Sequence, residues 1–272
     1  MIARISLLLL AIQLYGSSLP FVFVYVDSIT EAKIGAFPYS RDVYVEAINI
    51  AAENGAKAVV LKYFIDEPKD SLADMKLSES LTRLPVFLQC RIGIQQETPN
   101  NLPIRFLSPE LKDAKTKYIL AGNSGWMPLE ILSKNCHDVG FVDLYTADNP
   151  NCPMLAYYHN TPIKSLPIKI FEFLYAETIS IDGRKMSFMG KTYKLTSKLE
   201  QKITFPDKKR LKKYSFVDLL EDNIDKAELS GKIVILGYDG DMQSMINTPS
   251  GQVKAHDYFG YLLIGLFDEF QK

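Results

Sequence analysis

The sequence predicts an α/β domain with a mainly parallel central sheet flanked by helices and a small antiparallel excursion in its middle. Two observations predict it. Continuous apolar runs bounded by turn residues recur along the chain, as expected of strands covered on both faces. Between the first two runs lies a stretch with apolar residues at helical spacing, so this strand–helix–strand unit should give parallel strands with a right-handed crossover. The 272 residues, 47% of them hydrophobic, suffice for one large core, and no internal repeat or long linker divides them. Composition separates 1–20, read as a signal peptide or N-terminal anchor, from 21–272, read as a single extracytoplasmic domain.

Each element follows in order. In the leader MIARISLLLLAIQLYGSSLP, Arg4 precedes an apolar run, and Gly16, Ser17 and Ser18 are small enough for cleavage. The run is shorter than the roughly 20 apolar residues a spanning helix needs. Cut, it exports the chain to the periplasm or beyond; uncut, it anchors the chain in the inner membrane. Phe21 to Asp27 (FVFVYVD) is a buried strand. Ser40 opens a helix at Arg41 whose Val43, Ala47, Ile48, Ile50 and Ala51 share a face, and Gly55 ends it. Ala58 to Phe64 is a second strand, Asp74 to Arg83 a short helix and Val86 to Cys90 a third strand. Gly93 to Pro109 reads as loop. Ile119 to Ala121 gives a short strand, Asn123-Ser124-Gly125 a turn, Leu129 to Lys134 a helix, and Phe141 to Tyr145 a strand before the turn-rich ADNPNCP. Ile163 to Ala176 is helical in pattern despite Pro167. Strands around Thr178–Ile181 and Lys191–Leu195 form the antiparallel excursion. Ser215-x-x-Asp218 has capping-box form. Ile233 to Leu236 is the last buried strand, and Asp257 to Phe270 a terminal amphipathic helix.

Charge and cysteines remove several function classes. With 31 basic and 32 acidic side chains the formal net charge is -1, which gives no electrostatic reason to bind nucleic acid. The basic run DKKRLKK (207–213) reads as a solvated face. Cys90, Cys136 and Cys152 include no C-x-x-C, and His137, His159 and His256 lie far apart, so a structural zinc site is not indicated. Three reduced, buried thiols are the expected state, with a Cys136–Cys152 disulfide as the alternative. No Walker loop, EF-hand or nucleophile elbow is present, and no residue is assigned a catalytic role.

Ligands of open parallel sheets lie outside the carboxyl ends of the strands. Asp27 ends the first strand, and Tyr238-Asp239-Gly240-Asp241 follow the last. If those strands are neighbours, Asp27, Asp239 and Asp241 crowd one rim, with Arg41 nearby. Such a rim suits magnesium or calcium, or a cationic or hydroxylated ligand; the plain alternative is a glycine-loosened turn. Lys62, on an apolar strand, needs a carboxylate partner if buried, and Asp27 is the candidate. His256 stands at the start of the terminal helix.

Several segments, in order, carry a family pattern. They are the strand ending in Asp27; Phe37-Pro38-Tyr39-Ser40-Arg41; Gly55-Ala56-Lys57-Ala58-Val59-Val60; Glu67-Pro68; Asp74 with Leu77 and Leu81; SFVDLL (215–220); GKIVILG (231–237); and Thr248-Pro249. From about Phe21 to Leu266 the chain resembles the extracellular sensory domain associated with cyclases and histidine kinases, second type (CHASE-type). It departs from that pattern at Lys62, where the family usually has an aspartate. At Asp148-Asn149-Pro150-Asn151-Cys152 an expected arginine is missing, and the closing block matches Gly251, Val253 and His256 only with one insertion. The family's output modules follow its sensory domain; here none is expected, as in a freestanding version.

The candidate ligand-binding set is Asp27, Arg41, Lys62, Asp239, Asp241, Thr248 and His256. The resemblance and the leader together imply an exported bacterial sensory-type domain, nonenzymatic, binding an unknown small molecule or protein partner. No nucleic acid is expected; membrane association would run through 1–20. No cofactor is expected, magnesium or calcium being the ions the rim would accept. The alternative is a cation-dependent hydrolase in which Asp27, Asp239 and Asp241 hold the metal and His256 moves protons. A third reading is a secreted scaffold that keeps the fold and has lost the pocket.

Overall fold

The structure, a computed structural model, describes residues 19–93, 100–112, 114, 119–143 and 151–272. The expected export segment therefore lies almost wholly outside the described residues, as does Asp148-Asn149-Pro150. The elements that build the main sheet are β1 (Phe21–Val26), helix α1 (Ser28–Ile34), α2 (Arg41–Glu53), β2 (Ala58–Leu61), α3 (Ser71–Ser80) and β3 (Val86–Gly93). After them come β4 (Ala121–Gly122), β5 (Ser124–Trp126), α4 (Glu130–Asn135) and β6 (Asp138–Phe141). The middle adds β7 (Asn151–Pro153), β8 (Leu155–Tyr158), β9 (Thr161–Lys164), α5 (Leu166–Tyr175), β10 (Ser180–Asp182), β11 (Lys185–Phe188), β12 (Lys191–Lys194) and β13 (Glu200–Lys202). The chain closes with β14 (Lys213–Ser215), α6 (Phe216–Leu220), α7 (Lys226–Leu229), β15 (Ile233–Tyr238), β16 (Met245–Thr248), β17 (Gly251–Lys254) and α8 (Ala255–Gln271).

Seven strands form the central sheet in the order β14-β1-β15-β2-β3-β5, with β6 also paired to β3. All these pairings are parallel except β3 with β5. The first and last long strands are neighbours, Phe21 to Val26 lying beside Ile233 to Tyr238. β1 and β2 are parallel, but β15 is inserted between them, so the first crossover spans a strand that arrives only near the end of the chain.

Alternation along each strand sorts its side chains into two cores. Val22, Val24 and Val26 of β1, with Val59 and Leu61 of β2, pack in one core with Tyr44, Ala47 and Ile48 of α2. Phe21, Phe23 and Tyr25, with Ala58 and Val60, pack in the other with Phe259, Leu262 and Leu263 of α8. Gly237 stands opposite Tyr25, where a Cβ would come within 2.6 Å of that ring. The ring can therefore lie flat across β15, and its hydroxyl donates to the His256 carbonyl at 2.9 Å, tying the start of α8 to β1.

Several sequence expectations are corrected. The antiparallel excursion has three strands, β10-β11-β12, not two. Ile163 belongs to β9; α5 starts at Leu166, with Pro167 in its first turn, where a missing N–H leaves no intrahelical bond unmade. Helix α3 begins at Ser71 because Asp70 caps it, accepting the Ala73 N–H at 2.9 Å. Asn123-Ser124-Gly125 leads into β5 rather than forming a free turn. The three thiols are free and buried, so the Cys136–Cys152 disulfide is not formed. Among the described residues no helix is long and apolar enough to cross a membrane.

Candidate functional site

The strand pattern alone brings Lys62 and Gln89 together. Leu61 pairs with Leu88 across the parallel β2–β3 ladder, so the next residue on each strand lies side by side and on the α8 face. Lys62 is 5% exposed and Gln89 3% exposed. Lys62 Nζ donates to Gln89 Oε1 at 2.6 Å and sits 4.2 Å from the centre of the Phe259 ring on α8. Among the described residues no carboxylate lies within ion-pair distance of it. Burial pulls its pKa down to about 7, with Asp143 working weakly the other way. The expected Lys62–Asp27 pair is thus replaced by an amide and an aromatic face, because β15 separates the strands that carry the two residues.

His256 is the second centre of the site. Its Nδ1 accepts the Tyr238 N–H at 2.8 Å, which leaves the ring proton on Nε2. Burial, reinforced by the nearby Lys62 charge, pushes its pKa well below the usual value, so the ring is neutral. The His256 N–H donates to Gln243 Oε1 at 2.7 Å, while Gln243 Nε2 is buried with no hydrogen-bond partner among the described residues.

Two cavities, of about 300 and 370 Å³, open around these groups and share Lys62, Phe64, Gln89 and His256. The smaller continues past Trp126, Phe259 and Asp143. Asp143 accepts the Ile92 N–H at 2.9 Å and lies 3.5 Å from Arg91 Nε. Burial raises its pKa to about 6 against the pull of these donors. The larger cavity is walled by Phe37, Tyr44, Tyr63 and Tyr238, with Phe37 stacked on Tyr238 at 4.5 Å.

The remaining sequence candidates divide by what they touch. Arg41 borders the larger cavity, but its Nε is committed to buried Asp74 at 2.7 Å and its Nη2 to the Glu67 carbonyl at 2.7 Å. It pins the loop after β2 as a structural clamp. Asp27 caps α1, accepting the Thr30 N–H and hydroxyl, each at 2.9 Å, and the Ser215 hydroxyl at 2.8 Å. Partial burial raises its pKa, yet these hydrogen bonds outweigh it and hold the carboxyl below its ordinary value. Asp239 pairs with Lys213 at 2.6 Å and Lys254 at 3.1 Å. Asp241 is exposed, and Thr248 sits in the β16–β17 hairpin, its hydroxyl donating to the Gly251 carbonyl at 2.5 Å. Neighbouring strands do carry Asp27 and Asp239, but their side chains take separate partners. Among the described residues no three His, Cys, Asp or Glu side chains gather to hold a metal.

Sequence reasoning missed Gln89, Asp143, Gln243 and Phe259. Gln89 interrupts the apolar run VFLQC just as Lys62 follows AVVL, and Asp143 closes FVD just as Asp27 closes FVFVYVD. The signal was present in both cases.

A family model, the CHASE2 domain, matches residues 6–263. The chain belongs to the CHASE2 family. CHASE2 is an extracellular sensory domain found with cyclases and histidine kinases, so the resemblance read from the ordered motifs is sound and the role is a sensory one. Comparison with curated proteins and with solved structures returned no match. In this CHASE2 domain the cleft around Lys62 and His256 occupies the place where an open parallel sheet takes its ligands, beyond the carboxyl ends of the strands.

Proposed function

We propose that this CHASE2 chain is an exported, nonenzymatic domain that recognises a small ligand in the cleft formed by Lys62, Gln89 and His256. The supporting observation is Lys62 itself. A buried ammonium without a carboxylate destabilises the fold, and this one stands beside a cavity into which its remaining N–H groups can donate. Export follows from the leader and from the extracellular setting of the family; the nonenzymatic reading follows from side chains that hold caps and clamps rather than a reacting centre.

Trp126, the one tryptophan of the chain, borders the smaller cavity and provides the readout. A metabolite screen on the full chain, followed by Trp126 fluorescence and thermal shift, should give saturable hits that return chemically unchanged. The same screen on Lys62→Met should lose them. Hits that persist in that variant would place recognition elsewhere, and turnover of a hit would replace the binding role with an enzymatic one. Mass analysis of the mature N-terminus after cell fractionation tests export.

A further inference from the structure

The polar side chains that the two cavities share, Lys62, Gln89 and His256, each present a donor, and Gln243 adds another from the larger cavity. Lys62 Nζ spends one proton on Gln89 Oε1 and has others to give. Because Gln89 Oε1 is taken, what that side chain still offers is its amide N–H₂. His256 offers Nε2–H, since its other nitrogen already accepts the Tyr238 N–H. Gln243 Oε1 accepts the His256 N–H, so its buried, unpartnered Nε2 is also a donor. A buried donor left without an acceptor is costly, as Gln243 Nε2 is, and together with the donors on Lys62, Gln89 and His256 it calls for a ligand that accepts.

The charge count narrows the class further. Arg41 is neutralised by Asp74, and Arg91 stands beside Asp143, which also accepts the Ile92 N–H. Of the four residues the two cavities share, Lys62 is the one cation, while Asp66, Glu67 and Lys69 line the larger cavity alone. The walls on either side are aromatic: Phe64, Trp126 and Phe259 toward the smaller cavity, Phe37 and Tyr63 toward the larger. A single positive charge ringed by neutral donors and bounded by aromatic faces matches a monoanion on an apolar body better than a multiply charged phosphate.

Resting on the ligand-binding reading above, we infer that the ligand is a small organic carboxylate. Its head is received by Lys62 Nζ, the Gln89 and Gln243 amides and His256 Nε2–H, and its apolar body lies along the aromatic walls. Lys62 supplies the charge, the two glutamines fix the head's orientation, and His256 acts as a neutral donor.

The test is isothermal titration of the full chain with benzoate, benzamide, benzylamine and inorganic phosphate at about pH 6, where Lys62 is charged. Benzoate should bind, and the neutral, cationic and phosphate probes should each bind at least roughly tenfold more weakly. Lys62→Met should abolish the benzoate signal while melting cooperatively at an equal or higher temperature. Gln243→Leu, which removes one donor from outside the sheet, should weaken benzoate by roughly three- to tenfold. Benzamide, benzylamine or phosphate binding as tightly as benzoate, with Lys62→Met still abolishing it, would overturn the carboxylate assignment and leave the cleft as the ligand site. Benzoate binding that Lys62→Met leaves unchanged would overturn both. Absence of saturation by every probe up to millimolar concentration would overturn the carboxylate assignment.

Discussion

Asp27 and Asp239, at the carboxyl ends of β1 and β15, are each matched by neighbours that satisfy them fully. Lys62 and Gln89, at the ends of β2 and β3, are buried deeper and satisfied only in part. The acidic lip holds the edge of the sheet together: one aspartate caps a helix and the other bridges two lysines. The lysine cleft holds nothing together that an apolar side chain could not hold better. Polar groups that stabilise are found already paired, and polar groups that await something are found buried and short of partners. That contrast, rather than the presence of charge, separates structural residues from candidate recognition residues at one end of one sheet.

The comparison can be broken or sharpened by substitution. Arg41→Met should cost about 3–5 kcal/mol, because it strands Asp74 in the interior without its cation. Chemical denaturation measures it, and a loss below about 1 kcal/mol would show that Asp74 finds another donor or protonates. Lys62→Met should act in the opposite direction, leaving the unliganded chain as stable as the wild type or more stable at pH 6 to 7, because relief of the buried ammonium outweighs the stranding of Gln89 Oε1.

The pH dependence of that gain has a definite sign. The folded pKa of Lys62, about 7, lies below the unfolded value of about 10.4, so between these limits the unfolded chain binds the extra proton. Wild-type stability should therefore climb with pH across that window relative to Lys62→Met, and the difference should level off above about pH 10. Parallel curves would mean that Lys62 titrates normally and is not the uncompensated cation described. The paired measurement cancels shifted groups that do not feel Lys62, among them Tyr25 and Tyr63, whereas Asp143 and His256 are coupled to it and titrate with it.

On the lip, Asp27→Ala should cost about 1–2 kcal/mol through the lost cap. Its folded pKa is lowered, so this contribution is present above the ordinary carboxylate range and fades as pH falls through the folded value. Ligand response should be untouched. Asp239→Asn should change stability by less than about 1 kcal/mol, and less still in high salt, since its partners are partly solvated. A large, salt-independent effect there would move the functional weight back to the lip.

Much of the sheet was legible because its strands are continuous apolar runs that only a doubly covered position tolerates. FVFVYV, AVVL and IVIL could be assigned directly. Pairing order was not, since nothing local in IVIL says that it enters between the first two strands. The site was half legible for the same reason. Lys62 stood out as a charge on an apolar strand and His256 by its place at the start of the terminal helix, but a partner is fixed by register. Gln89 becomes the neighbour of Lys62 only once Leu61 is known to face Leu88. The aspartates left two readings open, because a carboxylate after a strand is equally suited to capping the next helix, and Asp27 does so through Thr30, three residues on.

The insertion of β15 between β1 and β2 also bears on synthesis. As the polypeptide leaves the ribosome, its opening strands cannot zip to each other and must wait with a slot between them for a partner made late. Vectorial growth thus leaves two hydrophobic ledges open for most of translation, a situation that favours chaperone engagement and slow, long-range closure. Tyr238, His256 and α8 arrive with or just after the strand that fills the slot, so the cleft around Lys62 and His256 cannot be complete before they do.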